Sequence, residues 1–496
     1  MGRISQANVK FLFKSLCVFS ILILLMVVLN KIFINKLILF QAVNSDVTEL
    51  PYLPEKWDGF YEKDKNTIDM LFVGTSVVHT GVDVNYLYHE YGFTSYDLSA
   101  DQMSSQNVYA FLKEALKYQV PKVVFVDVQS LSWAEAASAT SLHYNYDFMH
   151  QGINRIKGIK ENKNVSSEGN LFPFLEYHTR WEELNETDFC YLFQDKLNML
   201  NGYFIYMLTN AAAVPATYEK TQDTLSELGY TYTEENLNKI ISLCNEKGMK
   251  CILFRTPQSY TENQAKYCNA IEKYAIENEV DFWNFNDYYS EIGVDFSTDF
   301  VDGQHLNYIG SRKFTAFLGT MIAEQLEYTD HRGMDGYEEW DVAYDYENYL
   351  IHAYEIRHYG NFQEYLDYND FLSDDLVYMY TYRYLGDLQK IPGMPVKIYE
   401  MEDKEGDSKV CIMEKGEMIQ RILLFQGDTY EGLLEQAERL FIESFDAKTK
   451  IWVDDHGTET KEADGIVDLL IYDKKLRKVL DHVILNTNNE FAVTHL

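Results

Sequence analysis

Three side chains in two distant stretches of the sequence have the types and spacing needed for acyl transfer. Ser76 follows an apolar run that ends in Gly74, and Asp302 stands three residues before His305. A serine hydroxyl needs a neighbouring base to accept its proton, and the imidazole of that base needs an acceptor that fixes its tautomer. The pattern therefore predicts Ser76 as nucleophile, His305 as general base and Asp302 as the orienting carboxylate.

Each half of this pattern is ambiguous when taken alone. A Gly-x-Ser sequence after a strand occurs by chance in many α/β proteins, and an Asp-x-x-His pair can simply cap a helix. The positions of the two motifs favour a catalytic site. The serine follows the first predicted strand, and the acid and histidine follow the last one. Open parallel sheets carry their sites at the carboxyl ends of the strands.

The elements that position these residues alternate between strand and helix. Apolar runs predict strands at 69–73, 94–99, 122–128, 249–254 and 281–285, and helical spacing predicts helices at 82–91, 108–118, 234–247, 261–278 and 310–326. This alternation predicts an α/β domain with a parallel sheet and right-handed crossovers. A helical insertion at about 130–230 is far too long for an ordinary βα connection.

The sequence also resembles a known family. Gly74-Thr75-Ser76 and the segment from Asp299 to Asn307, which contains Asp302-x-x-His305, resemble the SGNH hydrolase superfamily, and specifically its membrane-anchored bacterial branch of DltD-like and alginate O-acetylation-like proteins. The resemblance implies a flavodoxin-like three-layer domain, placed at 69–330, that moves acyl groups onto cell-surface polymers. It further implies a membrane-bound O-acyltransferase as the partner that delivers the acyl group.

The chain departs from this family where an asparagine normally helps to hold the oxyanion. The matching strand end reads Asp127-Val128-Gln129-Ser130. We therefore expect the oxyanion hole to use the Ser76 amide with the loop around Asp101 and Gln102, whose backbone amides serve whatever the side chains are. Gln102 has a further donor in its side chain. The alternative is a polar loop that caps the next helix through Ser104 or Ser105.

Within the insertion, His178, Arg180 and Trp181 are candidates for substrate binding. Arg180 is suited to bidentate binding of an anionic group and Trp181 to stacking on a sugar. The alternative is a purely structural lid, anchored by Trp181, in which Arg180 is ion-paired.

The amino-terminal region predicts a membrane anchor. Residues 11–34 are long and apolar enough to span a bilayer, and Arg3, Lys10 and Lys14 favour a cytoplasmic tail at 1–10. A cleaved signal peptide is the alternative. Residues 35–68 are predicted to form a juxtamembrane stalk, which places the main domains outside the cell as a single-pass membrane protein.

The composition of the chain limits the classes of partner that it is expected to bind. The formal net charge of −34 argues against nucleic-acid binding and against a polyanionic acceptor, so a neutral or cation-bridged cell-envelope polysaccharide fits better. Six cysteines, one of them in the anchor, show no paired or metal-binding spacing and fit small buried side chains. The sequence predicts no cofactor and no metal site.

Residues 331–496 are predicted to form a separate aromatic and acidic domain of mixed α/β or β-rich structure, with strands near 451–453, 465–472 and 479–485. Its tyrosines suit sugar binding, but they are also ordinary β-sheet residues. The whole pattern predicts a membrane-anchored serine O-acyltransferase or acylesterase acting on cell-envelope polysaccharide. The alternative is a non-catalytic glycan-binding or assembly protein that keeps the same scaffold.

Overall fold

The structure, a computed structural model, describes residues 6–34, 55–165, 168–184, 188–189, 200–210, 218–369, 375–382, 408–414, 417–425, 428–434, 438–445, 448–453, 456–461, 466–486 and 492–495. It divides into two compact units, Met1–Tyr344 and Asp345–Leu496. Residues 1–5 of the predicted tail, 35–54 of the predicted stalk and Cys190 lie outside the described residues.

The helices of the first unit begin with a long apolar one and continue around the sheet. They are α1 Gln6–Phe33, α2 Glu55–Glu62, α3 Ser76–His79, α4 Val84–Tyr91, α5 Ser105–Ala115, α6 Val128–Leu131, α7 Ala139–Tyr146, α8 Ile153–Glu161, α9 Glu168–Leu171, α10 Pro173–Tyr177, α11 Thr231–Lys247, α12 Glu262–Glu277, α13 Tyr289–Ile292 and α14 Tyr308–Gln325. A 3₁₀ turn, His178–Glu182, follows α10. Helix α15, Glu338–Glu355, extends across the boundary between the units.

The sheet of the first unit contains five parallel strands: β1 Met70–Val73, β2 Ser95–Asp97, β3 Val123–Asp127, β4 Lys250–Arg255 and β5 Asp281–Asn284. Their order is β2-β1-β3-β4-β5, and every neighbouring pair is parallel. This is the flavodoxin-like order, in which a site is expected where the strand order reverses beside β1. The predicted α/β fold is confirmed.

Helices cover both faces of this sheet because its strands are apolar on both faces. Leu71 and Val73 face a core that also contains Trp57 and Phe111. Phe72, which points the other way, stacks on Phe125 with ring centroids 4.6 Å apart. Alternating side chains on one strand therefore fill two separate cores, as a three-layer domain requires.

Helix α1 contains the stretch Lys10–Phe33, which has a mean hydropathy of 2.7 and is long and apolar enough to cross a membrane. An anchor and a signal sequence both meet this criterion. Its side chains are exposed along most of the helix, whereas Asn30, Ile32 and Ile34 at the carboxyl end are buried against the rest of the first unit.

Part of the predicted stalk belongs to the folded unit. Residues 55–62 form α2, and its Trp57 and Phe60 are buried in the core of the α/β domain. The unit also extends beyond residue 330, since Trp340 is fully buried and its ring lies 5.8 Å from that of Tyr88 on α4. Aromatic burial on both sides of the predicted boundaries explains why the folded unit is longer than 69–330.

The second unit is β-rich, one of the two predicted alternatives, and its strands pair antiparallel. After α16 Phe362–Tyr368, the strands are β6 Leu376–Tyr382, β7 Ser408–Glu414, β8 Glu417–Leu424, β9 Thr429–Leu434, β10 Glu438–Phe445, β11 Lys448–Val453, β12 His456–Lys461, β13 Ile466–Asp473, β14 Lys478–Asn486 and β15 Ala492–His495. They form a sheet of order β15-β14-β13-β6-β7-β8 and another of order β12-β11-β10-β9. One apolar core receives side chains from both sheets, among them Val377, Leu440 and Leu470.

Candidate active site

Ser76 stands in a sharp turn at the carboxyl end of β1. A side chain on Gly74 would place its Cβ 2.4 Å from the Cβ of Asp127, so the turn can approach β3 only with glycine there. The Thr75 amide and hydroxyl both donate to Asp127 Oδ2, at 3.3 and 3.1 Å. Helix α3 then begins at Ser76, and the serine is therefore held in a turn that the end of β3 braces.

Asp302 and His305 lie in a compact loop before α14. Asp302 Oδ1 accepts the amides of Gln304 and His305 at 2.7 and 2.8 Å, which leaves Oδ2 free to face the imidazole. Asn307 caps the amino end of α14 by accepting the amides of Ile309 and Gly310. Capping and local turn bonds thus fix the distance between the acid and the histidine.

The structure brings the three predicted side chains into one chain of hydrogen bonds. Ser76 Oγ lies 2.8 Å from His305 Nε2, and His305 Nδ1 lies 2.8 Å from Asp302 Oδ2. Because a carboxylate accepts at Nδ1, that nitrogen carries the proton and Nε2 offers its lone pair to the serine hydroxyl. This is the geometry that a general base requires.

The charge state of Asp302 fits the same arrangement. Burial raises the pKa of its carboxyl, but the hydrogen bond and the charge of His305, together with the two amides, lower the pKa to about 2. Asp302 is therefore ionised at neutral pH, and a carboxylate in this position can stabilise an imidazolium at His305.

The residues predicted for the oxyanion hole occupy a turn beside the hydrogen-bonded Ser76, His305 and Asp302. The Ala100 amide donates to Gly74 O at 3.0 Å, and the Met103 amide closes the turn on Ala100 O at 3.3 Å. In such a turn the amides of the two central residues, here Asp101 and Gln102, do not take part in the closing bond. Gln102 adopts a positive φ of 51°, which fits the third position of a turn of this kind.

The side chains of the turn are engaged elsewhere. Gln102 Oε1 accepts from the Ser141 hydroxyl at 2.7 Å. Asp101 Oδ1 lies 3.4 Å from His79 Nε2. The alternative of a capping loop finds partial support, since Ser104 occupies the N-cap of α5, but its side chain makes no cap hydrogen bond. The geometry therefore leaves backbone amides as the candidate oxyanion donors.

A buried charge network that the sequence did not reveal lies under this turn. Lys56 Nζ on α2 donates to Ser99 O at 2.7 Å and lies 3.7 Å from Asp97 Oδ1. Burial lowers the pKa of Lys56 and raises that of Asp97 and of Asp101, while the opposite charges counteract these shifts. Burial and the charges of Lys56 and His305 lower the pKa of His79, which keeps that ring neutral.

Two other neighbours of the site were missed by sequence reasoning. The Tyr206 ring lies 5.9 Å from that of His305, and burial raises the pKa of its phenol. Gln129 Nε2 donates to Gln304 Oε1 at 3.2 Å, which places Gln129 beside the histidine loop. For Gln129 there was a signal, since it directly follows the third strand, whereas nothing in the sequence around Tyr206 marks it.

The predicted substrate-binding residues of the insertion meet a different element. Arg180 is buried and donates to Phe33 O and Ile34 O at the end of α1, both at 2.8 Å. His178 Nδ1 lies 2.8 Å from Leu175 O, and Trp181 is largely exposed. Within the part of the chain that the structure describes, no hydrogen bond, ion pair or ring contact joins these three to Ser76, Asp302 or His305.

Comparison with known proteins adds little to this geometry. No protein-family model and no curated protein matches the chain. Among solved structures, the chain is similar to a candidate acylhydrolase from Bacteroides fragilis, at 13% identity and a TM-score of 0.28, with 56% of this chain and 100% of that chain covered. It is also similar to a GDSL-like lipase from Bacteroides thetaiotaomicron, at 15% identity and a TM-score of 0.26, with 52% and 88% covered.

Proposed function

We propose that the protein is a membrane-anchored, extracytoplasmic serine acylesterase or O-acyltransferase that acts on cell-envelope polysaccharide. The observation that carries this proposal is the continuous chain from Ser76 Oγ through the His305 ring to Asp302, with both distances at 2.8 Å. A serine, a base and an orienting carboxylate in this relation are what nucleophilic acyl transfer requires.

In the proposed reaction, His305 Nε2 takes the proton of the Ser76 hydroxyl while Oγ attacks the ester carbonyl. The carbonyl oxygen becomes an oxyanion, which accepts hydrogen bonds from the backbone amides of Ser76, Asp101 and Gln102. Collapse of this tetrahedral species breaks the bond to the leaving alkoxide, which receives the proton from His305. The acyl group remains as an ester on Ser76, and the Asp302 carboxylate stabilises the charged imidazole throughout.

The second half of the reaction decides between esterase and transferase. His305 removes a proton from the attacking hydroxyl, and that hydroxyl belongs to water in an esterase and to a sugar in a transferase. A transferase of this type needs a donor on the outer side, and a membrane-bound O-acyltransferase is the partner we propose to supply it. The net charge of −34 favours a neutral acceptor, since a polyanion would be repelled.

The serine chemistry is tested with the full chain in detergent and a fluorophosphonate that labels activated serines. Intact mass is expected to show one adduct on the wild type and none on Ser76→Ala, while a Ser132→Ala control, which alters a serine bonded to Gln129 O, keeps the adduct. If the folded wild type takes up no adduct, the catalytic proposal fails and the non-catalytic glycan-binding reading replaces it.

The direction of transfer is tested with an activated acetyl ester and neutral oligosaccharides as acceptors. A transferase is expected to give acetylated sugar in amounts that rise with acceptor concentration, and Ser76→Ala is expected to give none. Release of free acetate alone, unchanged by any acceptor, would identify the esterase and exclude transfer to these sugars.

A further inference from the structure

The insertion of the first unit is built onto the carboxyl end of α1. The Phe174 amide donates to Asn30 Oδ1 at 2.8 Å, and the Phe174 ring packs edge-on against Phe33 with centroids 5.2 Å apart. These contacts involve a side chain and a ring of the last turn of α1. The end of the apolar helix is thus part of the folded unit.

Arg180 completes this attachment. The last carbonyls of a helix have no partner within the helix, and Arg180 Nη1 donates to two of them, Phe33 O and Ile34 O, at 2.8 Å each. A cation at this end also complements the helix dipole. Asp188 Oδ1, 3.5 Å from Arg180 Nη2, balances the charge. The carboxyl end of α1 is therefore satisfied by groups of the protein itself.

The exposure of α1 changes at the same point. Side chains from Phe11 at 73% to Leu25 at 49% are exposed, whereas Asn30 is only 6% exposed. The apolar stretch Lys10–Phe33 has 24 residues, or roughly 36 Å at the helical rise, against a hydrocarbon core of about 30 Å. The stretch therefore exceeds the hydrocarbon core by roughly 6 Å, about one helical turn, and the last turn of α1 is expected to extend into the interface.

Four large apolar side chains of the insertion are exposed around this end. They are Phe172 at 47%, Leu175 at 51%, Trp181 at 65% and Phe189 at 48%. All belong to the segment whose Phe174, Arg180 and Asp188 make the contacts just described. Tryptophan is typical of the level of the lipid headgroups, and phenylalanine and leucine accompany it on protein surfaces that insert into the headgroup region.

We propose that Phe172, Leu175, Trp181 and Phe189 form an interfacial surface that inserts into the outer leaflet of the bilayer. The proposal rests on the membrane anchoring put forward above, but not on the serine chemistry. Its partner is the lipid bilayer, because the surface is continuous with the end of a helix of membrane-spanning length. Attachment by both α1 and this surface holds the first unit at a fixed height on the membrane.

The test uses the full chain reconstituted into vesicles of phosphatidylcholine and phosphatidylglycerol. Lipids brominated near the headgroup end of the acyl chain quench tryptophans at the interface, whereas lipids brominated near the chain end reach only the bilayer centre. The six tryptophans of the chain are resolved by difference, with Trp181→Phe as the test variant. Trp133→Phe is the matched control, since Trp133 is also exposed but follows α6 at the carboxyl end of the sheet.

Quenching by the shallow bromines is expected in the wild type and in Trp133→Phe, and its loss is expected in Trp181→Phe. Equal quenching of wild type and Trp181→Phe, with the chain floating together with the vesicles, would overturn the interfacial surface and leave the anchor intact. Loss of quenching in Trp133→Phe instead would assign the lipid contact to another surface. A chain that does not float with the vesicles would remove both the anchor and the surface built on it.

Discussion

Replacing Lys56 by methionine tests the network beneath the proposed oxyanion turn. The substitution keeps most of the apolar stem but removes the charge that donates to Ser99 O at 2.7 Å and lies 3.7 Å from Asp97 Oδ1. The Asp97 side chain is fully buried, so its carboxylate loses the cation that offsets burial. The turn that follows Ser99 loses its support from α2 at the same time.

The magnitude follows from these contacts. Removal of one partner of a buried ion pair costs about 3–5 kcal/mol, because an uncompensated charge is left behind. The Asp97 carboxylate keeps one hydrogen bond in the variant, since the Ser99 amide donates to Asp97 Oδ1 at 2.6 Å. We therefore expect Lys56→Met to lower the free energy of unfolding of the first unit by about 3 kcal/mol. The double variant with Asp97→Asn is expected to recover about 1–2 kcal/mol, since no uncompensated charge remains at position 97.

The assay must report the first unit alone. Cys251 on β4 is free and buried, so its pulsed alkylation during urea titration, read by peptide mass, follows unfolding of the α/β domain. Lys65→Met is the matched control, because Lys65 is exposed and its loss is expected to change stability by less than about 0.5 kcal/mol. A loss from Lys56→Met no larger than that of the control, or no recovery in the double variant, would refute the reasoning.

Three further predictions concern the triad and its turn. Asp302→Asn is expected to lower kcat about 10²–10⁴-fold, because the amide no longer fixes the His305 tautomer; an unchanged kcat would contradict that role. Gly74→Ala is expected to cost about 1–3 kcal/mol and to abolish labelling of Ser76, because the new methyl group meets the Asp127 side chain at 2.4 Å; normal labelling would contradict the account of the turn. Because the folded pKa of Asp302, about 2, lies below its unfolded value of about 3.9, its stabilising contribution is present above about pH 4 and lost as pH falls towards 2. Asp302 is half exposed, so that contribution is below about 1 kcal/mol. The melting temperatures of wild type and Asp302→Asn are therefore expected to converge between about pH 4 and 2. A difference in melting temperature that stays constant over this range would refute the prediction.

The parts of the fold that the sequence predicted are those encoded locally. Strands such as 122–128 are continuous apolar runs, and a parallel sheet buries such runs on both faces, so their position and order were accessible. Ser76 and His305 were predicted for the same reason, since each follows a strand whose carboxyl end lies at a common edge. Local pattern and global topology agree at these positions.

The parts that escaped prediction depend on long-range partners. Lys56 lies in a stretch with mixed charges that resembles a stalk, and only the fold supplies the buried Asp97 that it meets. Arg180 donates to a carbonyl 146 residues earlier in the chain, which no local spacing indicates. Trp181 was expected to anchor a lid if the insertion were purely structural, yet it is exposed, and the anchoring contacts are made by its neighbour Arg180.

The hydrogen bond between Ser76 and His305 joins residues 229 positions apart. Ribosomes make the serine long before the histidine, and contacts of such separation form only when the intervening chain has folded. Until then the serine hydroxyl has no base beside it, and a hydroxyl without a base is a weak nucleophile. Under the proposed function, Ser76 therefore becomes reactive only once the first unit is complete.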